Sequence, residues 1–262
     1  MPRFAANLTM LYNELDFLDR FEAAAQDGFE GVEYLFPYAW PKEELAQRLE
    51  RFGLTQALHN LPAGDWAKGE RGIACHPDRV DEFRAGVAKG IDYATMLHCR
   101  QLNCLAGIAP KDVPPAEVRR TFVENLRFAA GELAKAGIRL LAEPVNTHDI
   151  PGFYLNKSAQ AMEIIEEVGS DNLWLQYDFY HTQIMEGDLT ATFRRLKDRI
   201  AHVQIADNPG RNEPGTGEIN YGFIFAMLDR EGYAGWVGCE YKPAAATSAG
   251  LAWFAPYRSR SA

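Results

Sequence analysis

The sequence predicts a single (β/α)8 TIM barrel spanning residues 1–262. Eight short apolar runs alternate with amphipathic stretches, as expected when parallel strands are covered by helices on their outer side. The chain has 262 residues, of which 47% are hydrophobic, so it can fill one large core. Neither a linker nor a low-complexity tract divides the series, which favours one domain.

The predicted strands are apolar runs of seven to nine residues. In chain order they are 4–11, 31–37, 54–60, 100–107, 138–146, 173–181, 200–208 and 236–243. Parallel barrel strands share one direction, so their carboxyl ends meet at one mouth, and TIM-barrel enzymes carry out their chemistry there. Polar residues late in these runs are therefore the most informative ones.

Helical patterns lie between the strands. The clearest runs from Pro115 to Ala136, with a proline at its start and Gly137 at its end. Its apolar positions recur at spacings of four and three: Val118, Phe122, Leu126, Ala129, Leu133 and Ala136. The stretch from Pro41 to Phe52 repeats this design and stops before Gly53. Both patterns predict helices with one face against the barrel.

The connection after the third strand is long and rich in glycine, proline and charged residues. It reads "LPAGDWAKGERGIACHPDRV" and covers residues 61–80. A long loop at the catalytic end of a barrel is often a lid, although a plain surface excursion has the same composition. We expect the part around Glu70 and Arg71 to cover a bound substrate.

Composition limits the partners of the protein. Acidic residues outnumber basic ones 36 to 27, which gives a net charge of -9 and argues against nucleic acid and anionic membranes. The first twenty residues lack the apolar segment of a signal peptide, so a cytoplasmic protein is expected. The four cysteines contain no CxxC pair and are expected to be reduced thiols. The sequence leaves a homo-oligomer open.

Polar side chains that can bind a cation occur in four successive predicted strands. They are Glu143 in the fifth, Asp178 and His181 closing the sixth, His202 and Gln204 in the seventh, and Glu240 closing the eighth. A single acid at a strand end is more often a salt-bridge partner or a helix cap than a catalyst. Three acids brought to one mouth are a different matter, because they would repel one another by about 3 kcal/mol per pair at about 5 Å.

A divalent cation would remove this repulsion. Three carboxylates and one further oxygen ligand form a hard donor set that suits Mg²⁺, with Mn²⁺ as the alternative, better than it suits zinc. His202 and Gln204 share strand parity, so periodicity does not decide which of them is the ligand from the seventh strand.

The chemistry expected of such a site is isomerisation of a hydroxycarbonyl compound. A metal held by the two neighbouring oxygens of the substrate acidifies the C–H between them and stabilises the enediolate. Glu143 and Glu240 are the pair predicted to remove the proton from one carbon and return it to the next. An anionic substrate would also need further cations. The candidates for substrate binding are His59, His181, Arg211 and Lys242.

Several tracts resemble one known family. "HNLPAGDWAKGERGIACHP", "LAEPVN", "QIADNPGRNEPGTGEINY" and "WVGCEYKP" resemble the hydroxypyruvate isomerase family of xylose-isomerase-like barrels, over about Arg3 to Arg258. The resemblance implies a TIM barrel, a divalent metal, and interconversion of hydroxypyruvate with tartronate semialdehyde in glyoxylate metabolism. It implies Glu143 and Glu240 as proton donor and acceptor. It also implies that these two, Asp178 and Gln204 form the metal shell.

Other functions remain as alternatives. The related 2-oxo-tetronate isomerases share "GCEYKP" and "HVQIA", whereas ketose 3-epimerases of this type have a histidine where Gln204 stands. A zinc-dependent endonuclease of the same barrel type is disfavoured by the acidic balance and by only six histidines. A barrel that binds a small oxo-acid or sugar acid without converting it is the non-enzymatic alternative.

Overall fold

The predicted barrel is confirmed. The computed structural model describes residues 1–258 and contains a closed barrel of eight parallel strands in chain order, in which the first strand pairs with the last. The strands are Arg3–Asn7 (β1), Gly31–Glu33 (β2), Thr55–Asn60 (β3), Gln101–Cys104 (β4), Arg139–Ala142 (β5), Leu173–Asp178 (β6), Ile200–Ile205 (β7) and Trp236–Cys239 (β8).

Helices cover the outside of the barrel. They are Arg20–Gln26 (α1), Lys42–Phe52 (α2), Val80–Met96 (α3), Pro115–Lys135 (α4), Ser158–Val168 (α5), Phe179–Met185 (α6), Leu189–Leu196 (α7) and Tyr221–Arg230 (α8). The two helices predicted most clearly, α2 and α4, agree with their patterns to within one residue at each end. A 3-10 segment, Thr247–Tyr257, follows β8 and packs its Phe254 against Phe4 and Phe29. Within residues 1–258, every helix is too short or too polar to cross a bilayer.

The strands are shorter than the apolar runs that predict them. β5 ends at Ala142 and β8 at Cys239, so Glu143 and Glu240 each lie one residue beyond a strand, where the chain turns over the mouth. The assignment of His181 to the end of the sixth strand is wrong, because α6 begins at Phe179. The Asp178 carboxylate accepts the backbone N–H groups of Tyr180 and His181 and so caps this helix.

The apolar core lies mainly between strands and helices, and the inside of the barrel is largely polar. A small interior cluster of Leu58, Leu141 and Ala201, with Trp174 against it, is separate from the large outer core. Closer to the mouth, the inward positions carry buried amides, acids and a histidine. The four cysteines are free and buried, as expected. The site therefore rests on a polar floor above this interior apolar cluster.

Candidate active site

The mouth of the barrel holds a cavity of about 610 Å³, within the size range of small-molecule sites. Acids and bases from several elements line it, among them Glu143, Glu240, Arg211 and Lys242. Trp66 and Arg71 of the loop 61–80 form part of its wall. A space of about 10 Å³, close to the size of one water molecule, lies between Glu143, Gln204 and Glu240 among others.

Glu143 is buried and held by an amide. Asn103 of β4 donates a hydrogen bond from Nδ2 to Oε2 of Glu143 at 2.8 Å and also lies 3.2 Å from Oδ1 of Asn60. Burial raises the pKa of the Glu143 carboxyl well above its usual range, and the nearby Glu240 and Asp178 carboxylates raise it further. A carboxyl group in this setting holds a proton more readily than an exposed one does.

Asp178 turns only one of its oxygens toward protein donors. Its Oδ1 accepts the N–H groups of Tyr180 and His181 at 2.7 and 3.2 Å. Its buried Oδ2 has no hydrogen-bond partner within the described residues. Burial raises the pKa of this carboxyl to about 6. A buried carboxylate oxygen without a donor is costly unless a cation or a ligand meets it.

His181 presents an N–H group to the space between these two acids. Asn146 accepts the backbone N–H groups of His148 and Asp149 on its Oδ1, so its Nδ2 faces Nδ1 of His181, at 2.7 Å. Nδ1 is therefore the acceptor, and the neutral ring carries its proton on Nε2. Nε2 lies 3.9 Å from Oε1 of Glu143 and 3.8 Å from Oδ2 of Asp178. Burial, with help from Arg211, lowers the pKa of His181 well below its usual value.

Glu240 shares its surroundings with an arginine. Nη2 of Arg211 lies 3.6 Å from Oε1 of Glu240, and Nη1 lies 3.2 Å from Oδ2 of Asp149. Burial raises the pKa of Glu240 to about 8, although Arg211 opposes the shift. Arg211 has a positive φ of 56°, an uncommon backbone conformation for a non-glycine residue. Such strain is typical of positions that the surrounding structure holds in place for function.

Gln204 and His202 both point into the barrel, as their shared parity predicts, and both contact Glu33. Nε2 of Gln204 donates to Oε1 of Glu33, and Nε2 of His202 lies 2.7 Å from Oε2. His202 also contacts Gln101 through Nδ1, so both of its ring nitrogens are engaged. Gln204 is the one that borders the space beside Glu143 and Glu240, and its Oε1 accepts a hydrogen bond from Gln176.

The donor atoms at the mouth suit a divalent cation. Within residues 1–258, ligand atoms of Glu143, Asp178 and His181 lie within 4.8 Å of one another. His181 carries its proton on the nitrogen that faces the acids, so the two carboxylates are the members able to bind metal. The partnerless Oδ2 of Asp178 is the clearest sign that a cation fits here.

Three comparisons place the chain among known proteins. A family model described as xylose isomerase-like TIM barrel matches residues 21–257. The chain belongs to this family. It is 56% identical to the hydroxypyruvate isomerase of Escherichia coli (strain K12) over 98% of this chain and 100% of the relative. It is 50% identical to the 2-oxo-tetronate isomerase of Cupriavidus necator, over 99% of this chain and 100% of that protein.

The solved structures agree on the fold. A crystal structure described as AP endonuclease, family 2, from Brucella melitensis superposes with a TM-score of 0.97 at 47% sequence identity, covering 99% of this chain and 100% of that chain. The resemblance of the sequence motifs to the hydroxypyruvate isomerase family is confirmed by the curated relatives. The prediction of an isomerase is confirmed with it.

His59, one of the residues predicted to bind substrate, does not line the cavity at the mouth of the barrel. His59 is fully buried in β3 and faces the helices, with its ring near those of Tyr34 and Tyr38. Strand alternation explains this correction, because neighbouring residues point to opposite sides and Asn60 is the one that reaches the cavity. His181, Arg211 and Lys242 do line the cavity.

Several important residues are not among the predicted ones. Glu33, Asn103, Asn146 and Asp149 hold Gln204, Glu143, His181 and Arg211, respectively. Asn103 could have been identified from the sequence, because it is an amide at an inward position near the end of a predicted strand. Glu33 has the same signal as Glu240, namely an acid inside an apolar run.

Proposed function

We propose that this chain is a metal-dependent isomerase that interconverts hydroxypyruvate and 2-hydroxy-3-oxopropanoate (tartronate semialdehyde). One observation carries the proposal. Glu143 and Glu240, two buried acids with raised pKa values, line one cavity in a chain that is 56% identical to a hydroxypyruvate isomerase along its whole length. The reaction moves one proton between neighbouring carbons and so needs two groups able to take and return it.

The proposed metal ligands are Glu143, Asp178, Gln204 and Glu240, with Mg²⁺ or Mn²⁺ as the ion. The free Oδ2 of Asp178 supports this set. An amide oxygen has two lone pairs, so Oε1 of Gln204 can keep its bond from Gln176 and still offer one pair. When bound, the ion would polarise the substrate carbonyl and offset the repulsion between the acids.

The proposed proton transfer uses the two glutamates. One, as the carboxylate, removes a proton from C3 of hydroxypyruvate, and the other, in its protonated form, delivers a proton to C2, while the hydroxyl proton passes from the oxygen on C3 to the oxygen on C2. A raised carboxyl pKa brings each closer to the optimum of a base that must accept a proton and release it again at neutral pH. The N–H of His181 would donate a hydrogen bond to a substrate oxygen between Glu143 and Asp178, while Arg211 and Lys242 would balance negative charge.

Exchange in heavy water tests the assignment. We expect hydroxypyruvate to gain carbon-bound deuterium only with protein and Mg²⁺ or Mn²⁺ present. Glu143→Gln and Glu240→Gln should each slow the exchange by at least about 10²-fold. Glu231→Gln, at a salt bridge with Arg194 and Lys197, is the matched control and should exchange normally. Full exchange in both active-site variants would remove the assigned bases.

The second candidate is 2-oxo-tetronate isomerisation, which the 50% identity to such an enzyme supports. A side-by-side assay with hydroxypyruvate and 2-oxo-tetronate decides between the two by the ratio of kcat/KM values. A zinc-dependent endonuclease is a weaker candidate, because His181 is the one histidine within residues 1–258 that lines the cavity. A bound zinc cluster in the purified protein would revive it.

A further inference from the structure

Arg71 lies in the loop between β3 and α3, and the residues on both sides of it are fixed. On one side, the Glu70 carboxylate forms a salt bridge with Arg79 and accepts the backbone N–H of Asp65. On the other, Gly72 lies so close to the chain after β4 that an added Cβ would stand 2.5 Å from the Leu105 carbonyl oxygen. The backbone at Arg71 is therefore held against the barrel wall.

The Arg71 side chain is also held in place, and Arg71 lines the cavity at the mouth of the barrel. Its guanidinium stacks 4.2 Å from the ring of Trp66, and its Nη1 donates to the carbonyl oxygens of Trp66 and Glu70 at 3.0 and 2.8 Å. Both Trp66 and Arg71 line the cavity that contains Glu143 and Glu240. Within residues 1–258, Nε and Nη2 of Arg71 form no hydrogen bond, so both remain available to a ligand.

The other cations of the cavity are placed differently. Arg211 faces Glu240 and Asp149, so acids of the protein already balance its charge. Lys242 is exposed and its ammonium has no carboxylate partner in the described part of the chain, but no ring or carbonyl fixes it. Arg71 is half-buried and oriented by Trp66, and no acid among residues 1–258 pairs with its guanidinium. It thus combines the charge and the fixed geometry that a carboxylate site requires.

We propose that Arg71 binds the carboxylate of the substrate and thereby selects 2-oxo acids over uncharged hydroxyketones. The inference rests on the proposed function and adds the residue that sets the substrate class. Nε and Nη2 lie on one edge of the planar guanidinium and match the two oxygens of a carboxylate. Because stacking on Trp66 fixes the group beforehand, little side-chain entropy is lost when the substrate binds.

The test compares two substrates that differ only at the group Arg71 would bind. Hydroxypyruvate carries a carboxylate, and dihydroxyacetone carries a hydroxymethyl group in its place, so the same proton transfer converts each. In Arg71→Gln we expect kcat/KM for hydroxypyruvate to fall by about 10- to 150-fold, mainly through KM. The low value for dihydroxyacetone should stay within about twofold. Arg71→Lys should recover part of the loss, since it restores the charge without the paired N–H groups.

Two further variants serve as controls. Lys68→Gln removes an exposed cation of the same loop, whose partner is Asp65, and should behave like the wild type with both substrates. Lys242→Gln should reduce kcat/KM for hydroxypyruvate less than Arg71→Gln does. Thermal unfolding of each variant checks that the loop and the barrel remain folded.

The outcomes separate this inference from the proposed function. An equal loss for both substrates, or no loss for hydroxypyruvate, would overturn the role of Arg71 while leaving the isomerase intact. If the wild type converts neither compound, the proposed function fails, and calorimetric titration with hydroxypyruvate still decides on Arg71. Weaker binding of hydroxypyruvate by Arg71→Gln than by the wild type would then support the role of Arg71 in carboxylate binding. Equal binding by both proteins, or undetectable binding by both, would contradict it.

Discussion

The barrel contains two groups of buried acids whose surroundings differ. Glu33 lies deeper and is fully supplied with donors: Asn7 and Gln204 donate to Oε1, and His202 faces Oε2. Gly238 makes this possible, because a Cβ there would stand 2.3 Å from the Glu33 carboxylate. The protein itself therefore satisfies this acid, as a buried polar group requires.

The acids at the mouth lack such a complete set of partners. Within residues 1–258, Glu143 accepts a hydrogen bond from the amide of Asn103, Oδ2 of Asp178 has no partner, and Glu240 has Arg211 at 3.6 Å. Burial raises the pKa of all three. Folding thus maintains an unfavourable charge arrangement at the mouth that a cation and a substrate would relieve. The contrast teaches that missing partners, more than burial itself, distinguish the acids proposed as the site from the structural one.

Removing the satisfied acid should have the largest effect on stability. Glu33→Ala leaves three buried donor groups without an acceptor, so we expect the free energy of unfolding to fall by about 3–5 kcal/mol. Glu240→Gln in metal-free protein should retain or increase stability, because a neutral amide replaces a carboxyl group whose ionised form burial disfavours. Urea unfolding measures both. Comparable losses of unfolding free energy in Glu33→Ala and Glu240→Gln would contradict the distinction between the two groups of acids.

Asn103 connects the polar interior to the mouth, and its removal should affect catalysis. Asn103→Ala removes the donor that orients Glu143, and kcat should fall by about 10- to 150-fold with little change in KM. Asn60→Ala, which removes only the neighbour of that amide, should have a smaller effect. If KM rises and kcat stays constant, Asn103 does not position the base.

The raised carboxyl pKa values also predict how pH and metal change stability. Between its unfolded value near 4.5 and about 8, Glu240 binds more protons in the folded state, so stability decreases as pH rises through this window. From pH 7 to 8.5, Glu240 should cost metal-free protein about 1 kcal/mol of stability per pH unit, and the raised pKa of Glu143 acts in the same direction. Adding Mg²⁺ or Mn²⁺ should remove the slope, and Glu240→Gln should reduce it. A flat profile in metal-free wild-type protein would contradict the raised pKa.

The sequence predicts the barrel well because the signals for it are local. Apolar runs, helix periodicity and the terminating glycines all act over a few residues, and α4 follows its pattern closely. The ends of the strands are less predictable, since the same apolar residues continue into the loops of the mouth. His181 shows this, because the capping bond from Asp178 turns a strand-like run into a helix.

The site is predicted only in part, because its partnerships are long-range. Glu33 and Glu240 look alike in sequence, each an acid in an apolar run. What separates them is the set of donors around Glu33, which come from positions 26, 169 and 171 residues away along the chain. Arg71 poses the same difficulty, since a loop position alone does not reveal that its guanidinium stacks on Trp66 at the wall of the cavity.

The smallest effects are expected from substitution of His59. The two buried histidines differ in the same way as the two groups of acids: within residues 1–258, both ring nitrogens of His202 have partners, whereas neither ring nitrogen of His59 has a well-formed hydrogen bond. Burial lowers the pKa of His59 to about 3. His59→Leu should therefore change stability at neutral pH by less than about 1 kcal/mol and leave kcat/KM unchanged. The folded protein binds fewer protons at His59 than the unfolded chain between about pH 3 and 6.5, so wild-type stability falls as pH decreases through this range. The His59→Leu variant should lose less stability over this pH range. A tenfold or greater reduction of its kcat/KM would contradict this placement and indicate that His59 does contribute to substrate binding.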